Sequence, residues 1–228
     1  LLKRFTSTMI TLISKKLGAI RWSEFRPISL CNVSSKILSK ILANRINKVL
    51  PHLISPLQSG FVFGPHIEDN VLLAQELPAD ISRKLKKPKV ALKLDMEKAY
   101  NKLDWSFLMS MLRAFGFGSW FIDLVYRALS NNWFSILING EQTGFFKSFR
   151  EVRQRDPLSP ALFIIAANFL TRGIQHLFDN GRRMFYKASS GQVPMLAFAD
   201  DTMIFTRISR HGLGRAKDFL ELYQRVLG

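Results

Sequence analysis

The sequence predicts an α+β fold in which strands and helices alternate along the chain. A chain of 228 residues of which 47% are hydrophobic can form one sizeable core, or two lobes that share an interface. Segments whose apolar residues recur every three or four positions alternate with shorter segments in which every second residue is apolar. This pattern indicates about six to eight strands and about six helices, without an internal repeat or a low-complexity segment.

The first clear helix lies in the segment 34–51, "SSKILSKILANRINKVLP". Its apolar residues follow helical spacing, serines near its start can serve as the N-cap, and Pro51 marks its end. The segment 89–96, "KVALKLDM", instead sends alternate side chains to opposite faces. It predicts a strand that ends at Asp95.

Two helices and a hairpin are predicted next. The helices run over Trp105–Phe115 and Trp120–Leu129, and Ser119 is the expected N-cap of the second. The following segment, "WFSILINGEQTGFF", has Asn139-Gly140 between two apolar stretches. This dipeptide is a strong signal for a two-residue hairpin turn.

The last third of the chain predicts a buried helix, a second hairpin and a final helix. Ser159 and Pro160 suit the N-cap and the first helical position of "SPALFIIAANFLTRGIQHLF", which is apolar on most sides. The stretches "VPMLAF" and "TMIF" predict two short strands joined by a tight turn made of Asp200 and Asp201. An amphipathic helix is expected over His211–Leu227.

A polar segment rich in Lys and Arg, residues 78–88, is the predicted break between two lobes. We place an N-terminal lobe at residues 1–80 and a compact α+β domain at 81–228. The chain opens on leucine, and Lys and Arg interrupt residues 1–20 repeatedly, so we expect no signal peptide. The sequence is therefore expected to be a piece of a longer chain.

The net charge of +16, from 33 Lys and Arg against 17 Asp and Glu, is spread along the chain. It favours a polyanionic partner, either nucleic acid or an anionic membrane surface. The longest apolar runs fall short of the roughly 18 to 20 residues that span a bilayer, so we do not expect membrane insertion. Cys31 is the single cysteine, and the four histidines lack zinc-ligand spacing. These features predict an intracellular protein of the nucleus or cytoplasm, not a secreted one.

Two neighbouring aspartates, Asp200 and Asp201, stand inside the apolar run "LAFADDTMIF". They can simply form a turn, because aspartate tolerates turn conformations and caps its own backbone. The apolar flanks instead favour a hairpin in an interior, where two repelling carboxylates need a counter-charge such as Mg²⁺. Asp95 is the candidate third ligand, although an aspartate there can also cap a helix that begins near Glu97. Carboxylates from more than one strand are what a two-metal phosphoryl-transfer site requires.

Five motifs, in order along nearly the whole chain, resemble the reverse transcriptase of non-LTR (LINE-type) retrotransposons, in particular those of plants. They are FRPISLCNVSSKILSKILANRI, QSGFVFGPHIEDNVLLAQEL, LKLDMEKAYNKLDW, RQRDPLSPALF and LAFADDT. The resemblance implies a right-hand polymerase fold, with an antiparallel palm sheet backed by helices and a fingers subdomain. Residues 1–80 would then be the fingers-like lobe and residues 81–228 the palm with fingers-related insertions, ending before a thumb.

The resemblance also implies roles for single residues. Catalysis and metal binding are implied for Asp95, Asp200 and Asp201. Contacts with the nucleotide or the template are implied for Tyr100, Gln154, Arg26 and Phe198. Tyr100 would stack under the incoming sugar and exclude a 2′-hydroxyl, and a tyrosine in the core of a helix is the alternative.

The reaction that the resemblance implies is nucleotidyl transfer. The 3′-hydroxyl of a DNA primer attacks the α-phosphate of a dNTP opposite an RNA template. Two Mg²⁺ ions, with Mn²⁺ as the alternative cation, would activate the attacking oxygen and stabilise the developing charge. The basic excess would hold template and primer through their phosphates. No membrane partner is implied, and the sequence sets no oligomeric state.

Departures from the family pattern bear on activity. Arg155 stands where the family has the glycine of Gln-Gly-Asp-Pro, so its side chain is expected to intrude where the backbone approaches the nucleotide. The position is also expected to demand a conformation that glycine adopts readily. Glu151 replaces a second glycine, Pro65 interrupts a usual Pro-Gly-Arg sequence, and Asn101 replaces an aspartate. We therefore expect weak or no polymerase activity in isolation. The alternative is a non-catalytic RNA-binding module that retains the polymerase fold.

Overall fold

The computed structural model describes residues 6–62, 70–76, 89–96, 103–150, 152–153, 155–180, 187–188 and 191–227. At residues 95, 187–188, 191–192 and 211 it describes the backbone alone. Two compact units are present, each built from two separate stretches of chain. Unit 1 comprises Leu1–Ile46 and Tyr100–Leu162, and unit 2 comprises Asn47–Ala99 and Phe163–Gly228. The predicted boundary near residue 80 lies outside the described residues, and the division into 1–80 and 81–228 stays a prediction.

Strands and helices alternate along the chain, as predicted. The described strands are β1 (Ser7–Ser14), β2 (Phe25–Cys31), β3 (Lys89–Asp95), β4 (Trp133–Ile138), β5 (Glu141–Lys147), β6 (Lys187–Ala188), β7 (Gly191–Gln192), β8 (Met195–Phe198) and β9 (Asp201–Arg207). The described helices are α1 (Val33–Asn47), α2 (Leu50–Leu53), α3 (Trp105–Ala114), α4 (Ser119–Ser130), α5 (Ser159–Asp179) and α6 (Arg210–Leu227). A 3₁₀ turn at Trp22–Glu24 and helical residues 70–76 complete the set.

Unit 1 contains a four-stranded sheet in the order β2-β1-β4-β5. β1 pairs antiparallel with β2 and parallel with β4, so the first strand of the chain lies inside the sheet. β4 and β5 form the predicted hairpin, with Ile138 paired to Glu141 across the turn. Asn139 and Gly140 have φ 50° and 84°, and positive φ at both central residues is what a type I′ turn requires.

The predicted helix over 34–51 is two helices. α1 ends at Asn47, and α2 begins at Leu50 with Pro51 in its first turn. Because proline lacks an N–H and its fixed φ suits the first helical turn, Pro51 lies in the first turn of a helix here and does not end one. The prediction of Pro51 as the helix stop was therefore wrong.

The helices α3 and α4 begin in different ways. Asp104 caps α3, because its carboxylate accepts hydrogen bonds from the backbone N–H of Ser106 at 2.8 Å and of Phe107 at 3.0 Å. The N-cap of α4 is Gly118, without a capping side chain, and Ser119 is the first helical residue. The prediction of Ser119 as the N-cap was wrong by one position, because Ser119 is already part of the first turn of the helix.

Unit 2 contains the three-stranded antiparallel sheet β3-β9-β8. Both faces of β9 are covered, since Ile204 on one face and Phe205 on the other are fully buried. Phe205 packs with Val193 and Leu196 in a hydrophobic cluster. β6 and β7 pair with each other as a separate antiparallel ribbon.

The helices α5 and α6 pack against each other within unit 2. The ring of Phe169 stacks on Phe219 and Tyr223, with centroids 6.0 Å and 6.3 Å apart. A Cβ at Gly173 would lie 1.9 Å from the Phe219 ring, so glycine is what permits this approach. α5 is also long and apolar enough to cross a membrane, but 67% of its apolar window is buried in the protein. A buried core helix meets the same criteria, so the length of α5 is weak support for insertion.

Candidate active site

The acidic doublet lies on the hairpin formed by β8 and β9. Phe198 and Asp201 are the last registered pair, so the turn consists of Ala199 and Asp200. The prediction that the two aspartates together form the turn was wrong by one position, because Asp201 is the first residue of β9. Ala199 has φ 55°, in the left-handed region, and Asp200 is exposed.

Asp95, the last residue of β3, pairs with Asp201 across the sheet. Directly opposite residues of an antiparallel pair have Cβ atoms about 4.5–5.5 Å apart. The backbone therefore brings together two aspartates that are distant in the sequence, and Asp200 follows in the adjoining turn. All three belong to unit 2.

Asp201 is the middle residue of a row that crosses three strands, with Asp95 on one side and Phe198 on the other. Phe198 is 56% exposed, so an aromatic surface faces solvent beside the carboxylates. Lys93 approaches from β3, with Nζ 3.5 Å from Asp201 Oδ1 and side-chain exposures of 68% and 65%. An ion pair this exposed is screened by water and contributes little.

The chemistry of this sheet end suits a hard divalent cation. Asp200 and Asp201 expose carboxylate oxygens, the donors that Mg²⁺ prefers over nitrogen and sulfur. In the part of the chain whose side chains are described, no three His, Cys, Asp or Glu side chains cluster, and the side chain of Asp95 lies outside that part. The fit to Mg²⁺ therefore rests on backbone register and on the exposed pair.

A buried tyrosine lies behind the end of β3. The hydroxyl of Tyr223 on α6 is 3.8 Å from the sulfur of Met96, the residue after Asp95. Burial raises the pKa of Tyr223, so the hydroxyl stays protonated and neutral. α6 thus supports the strand that carries Asp95 with an uncharged aromatic side chain.

Three further residues were predicted to contact the nucleotide or the template. Arg26 is on β2 in unit 1, where it pairs with Ile13 and is exposed. Tyr100 and Gln154 lie outside the described residues. The contacts assigned to these three residues with nucleotide and template stay predictions.

A buried ion pair brackets the position of Gln154. Arg153 Nη2 lies 2.7 Å from Asp156 Oδ2, and both side chains are almost fully buried. The Ser39 hydroxyl on α1 donates to the same Asp156 oxygen at 2.9 Å, and Arg153 Nη1 donates to Ser35 Oγ at 2.9 Å. These bonds hold the loop before α5 against α1. The sequence analysis did not predict that Arg153 and Asp156 form this ion pair. The available signal was their opposite charge at a spacing of three residues.

Arg155, between those two residues, has φ 63° and is exposed. Because the family has glycine at this position, we expected Arg155 to adopt a conformation that glycine adopts readily. The positive φ of Arg155 confirms this prediction. The left-handed region is unfavourable for a residue with a Cβ. Arg155 is therefore a strained residue next to Gln154, the predicted nucleotide contact.

Residues 13–227 match the protein family described as "Reverse transcriptase (RNA-dependent DNA polymerase)". The chain belongs to the reverse transcriptase family. This reverse transcriptase domain is 30% identical over 216 residues to the transposon TX1 uncharacterized 149 kDa protein of Xenopus laevis, covering 94% of the chain and 16% of that protein. It is 30% identical over 214 residues to the retrovirus-related Pol polyprotein from type-2 retrotransposable element R2DM of Drosophila melanogaster, covering 92% and 19%.

These relatives confirm the predicted non-LTR retrotransposon type. The narrower resemblance to plant elements stays a prediction. The reverse transcriptase domain spans 16% and 19% of the length of the two relatives, so they are much longer proteins.

Solved structures similar to the reverse transcriptase domain include two of telomerase from Candida tropicalis. Telomerase from Candida tropicalis in complex with the TWJ fragment of telomeric RNA has a TM-score of 0.64 at 13% identity, covering 98% of the domain and 39% of that chain. Apo telomerase from the same organism, truncated from its C-terminal domain, has a TM-score of 0.61 at 14% identity, covering 97% and 48%. Identity this low shows the fold alone. The predicted α+β polymerase fold with palm and fingers is confirmed.

Proposed function

We propose that this reverse transcriptase domain catalyses RNA-directed DNA synthesis, with Asp95, Asp200 and Asp201 binding two divalent cations. The observation that supports it most directly is the registered pair of Asp95 and Asp201 at one sheet end, with exposed Asp200 in the next turn. Divalent metals are general to the family. Mg²⁺ is the cation that carboxylate oxygens favour, and Mn²⁺ is the alternative.

The carboxylates and their neighbours have defined parts in the transfer. When bound, the ions would activate the 3′-hydroxyl of the primer and stabilise the charge that develops at the α-phosphate. Asp95, Asp200 and Asp201 would hold the cations, so the chain supplies fixed negative charge. Lys93 forms only an exposed pair with Asp201, which a divalent cation can replace. The reaction needs no nucleophile from the protein.

An RNA template, a DNA primer and a dNTP are the proposed substrates. The net charge of +16 supports binding to phosphates without regard to sequence. Exposed Arg26 offers a cation to the template or triphosphate, and exposed Phe198 offers a ring for stacking beside Asp201. Tyr100 and Gln154 complete the proposed contacts with the nucleotide.

Primer extension tests this proposal. The 228-residue chain is incubated with an RNA template, an annealed DNA primer, dNTPs and Mg²⁺, and then with Mn²⁺. We expect weak extension by the parent, in line with its departures from the family pattern, and none by Asp200→Asn, because the substitution removes a negative oxygen ligand. Asp218→Asn on α6 is the matched control: Asp218 is exposed and also belongs to unit 2, and its variant should extend like the parent. Equal extension by Asp200→Asn and the parent would refute the assigned site.

A second candidate function is a non-catalytic RNA-binding module that retains the polymerase fold. The left-handed conformation of Arg155, next to Gln154, favours it. The expected result for such a module is RNA binding by the parent without product in either cation. Product from the parent would exclude it.

A further inference from the structure

The segment 57–60, "LQSG", runs beside the acidic hairpin in unit 2. The N–H of Ala197 on β8 donates to the carbonyl of Leu57 at 2.9 Å, and the N–H of Ser59 donates to the carbonyl of Ala197 at 3.0 Å. These two bonds form a parallel bridge between Gln58 and Ala197. The edge of β8 that does not face β9 is therefore paired, immediately before the turn that carries Asp200.

The side chain of Gln58 reaches the turn itself. It is 3% exposed, and its Nε2 donates to the backbone oxygen of Ala199 at 3.3 Å. That oxygen belongs to the peptide group that joins Ala199 to Asp200. A hydrogen bond to this oxygen restricts rotation of the peptide plane, and with it the direction in which the Asp200 side chain leaves the backbone. Ala199 is in the left-handed region at φ 55°, which must be held by its surroundings.

Gly60 contacts the same turn from the same segment. A Cβ at Gly60 would lie 2.1 Å from the backbone nitrogen of Ala199 and 2.7 Å from its Cα. Both are backbone atoms, so relief would require the turn itself to move. Glycine is needed at this position for space.

We infer that Gln58 and Gly60 are positioning residues for the polymerase reaction, which hold the Ala199–Asp200 peptide so that the Asp200 carboxylate has a fixed place. The inference rests on the proposed function, because it assigns these residues to the metal-binding turn. It explains why a polar side chain is buried at Gln58, although its Oε1 has no partner among the described residues. The amide nitrogen carries the contact with the turn.

The test compares Gln58→Met, which keeps the length of the side chain and removes the donor, with Gln224→Met on an exposed face of α6. Three quantities are measured: hydrogen exchange of peptides covering 195–203, Mn²⁺ binding by paramagnetic resonance, and primer extension. Partners that orient a metal ligand typically change affinity or activity by about 10- to 100-fold when removed. We expect Gln58→Met to weaken Mn²⁺ binding and lower kcat in that range, with faster exchange confined to the hairpin. RNA affinity and the melting temperature should stay near the parent values.

Gly60→Ala is the second variant, with Gly214→Ala as its control, because a Cβ at Gly214 meets nothing within 4 Å. Gly60→Ala should accelerate exchange in the hairpin and weaken Mn²⁺ binding, whereas Gly214→Ala should change neither. Unchanged hairpin exchange and unchanged Mn²⁺ binding in both Gln58→Met and Gly60→Ala would overturn the inference. A lower melting temperature together with faster hydrogen exchange throughout the protein would also overturn the inference, because Gln58 and Gly60 would then stabilise the whole of unit 2 and not the hairpin in particular.

The two proposals fail in different ways. If Asp200→Asn leaves Mn²⁺ binding and extension unchanged, the proposed metal site is wrong, whereas hairpin exchange in Gln58→Met still reports whether Gln58 holds the turn. If Asp200→Asn abolishes both and Gln58→Met changes none of the three quantities, the metal site stands and the positioning role is wrong.

Discussion

Arg155 shows how a single backbone angle links sequence to activity. Its φ of 63° lies in the left-handed region, where the Cβ of an L-residue comes close to a carbonyl oxygen at a cost of roughly 1–2 kcal/mol. Glycine avoids this contact but loses about 0.5–1 kcal/mol in chain entropy on folding. The exposed Arg155 side chain offers little packing in return. The strain therefore exceeds the benefit of keeping a side chain there.

We predict that Arg155→Gly stabilises the protein by about 0.5–1 kcal/mol. Urea unfolding gives the free energy of unfolding of the parent, Arg155→Gly and Arg155→Ala. Arg155→Ala is the control, because it removes the guanidinium and keeps the Cβ that causes the strain. Primer extension should also rise in Arg155→Gly, since the variant removes the side chain that is expected to intrude where the backbone approaches the nucleotide. If alanine stabilises as much as glycine, the charge of Arg155 and not its φ is the cause.

At the scale of residues, the sequence indicated which side chains could bind a metal better than it indicated how those side chains are arranged in the sheet. Asp95, Asp200 and Asp201 stood out because carboxylates interrupt apolar stretches. The register that pairs Asp95 with Asp201 was not predictable, because pairing between strands distant in sequence leaves no local pattern. The turn was placed on the two aspartates instead of on Ala199 and Asp200, because the acidic doublet is the clearest polar interruption of the apolar run and aspartate is a common turn residue. Gln58 was visible only as part of a family motif.

At the scale of elements, the helix α3 depends on one charged cap. The carboxylate of Asp104 accepts hydrogen bonds from the side chain of Ser106 and from the backbone N–H groups of Ser106 and Phe107. The Ser106 side chain is the largest cause that lowers the pKa of Asp104, and the two backbone bonds and Arg150 lower it further. The ionised form is therefore favoured in the folded protein.

We predict that Asp104→Ala lowers the free energy of unfolding by about 1 kcal/mol near neutral pH. Because the folded pKa is lowered, the charge-dependent contribution is fully present above the unfolded pKa of aspartate and is lost as pH falls through the folded pKa. The difference between parent and Asp104→Ala should shrink over that acid range. Asp104→Asn is the control, since asparagine caps helices without a charge. A difference independent of pH would show that the charge contributes nothing.

Elements were predicted well where local signals are strong. The Asn139-Gly140 hairpin, β3 and α6 follow from turn chemistry and apolar periodicity, and the structure has all three. β1 and β2 were not predicted, because their pattern is interrupted by polar residues and β1 is stabilised by pairing with distant β4. Such long-range pairs appear only when the sheet is assembled.

At the scale of the whole molecule, composition indicated the partner and the family motifs indicated the fold. A charge of +16 favours a polyanionic partner but does not choose between RNA and an anionic membrane. The five motifs favoured RNA, and the family match and telomerase likeness agree with a polymerase fold. The helix α5 is largely buried in the protein, so its length and composition are weak evidence for membrane insertion.

The charge predicts a steep salt dependence of RNA binding. Each neutralised phosphate of a single strand contributes a slope of about −0.7 to the plot of log affinity against log salt, so about five contacts give a slope near −3.5 and an affinity loss of roughly 100-fold between 50 and 200 mM salt. Fluorescence anisotropy with a labelled RNA measures this slope, and liposomes containing phosphatidylserine serve as competitors. We expect RNA to bind in their presence. A slope near zero, or displacement of RNA by the liposomes at matched charge, would contradict a phosphate-directed RNA surface.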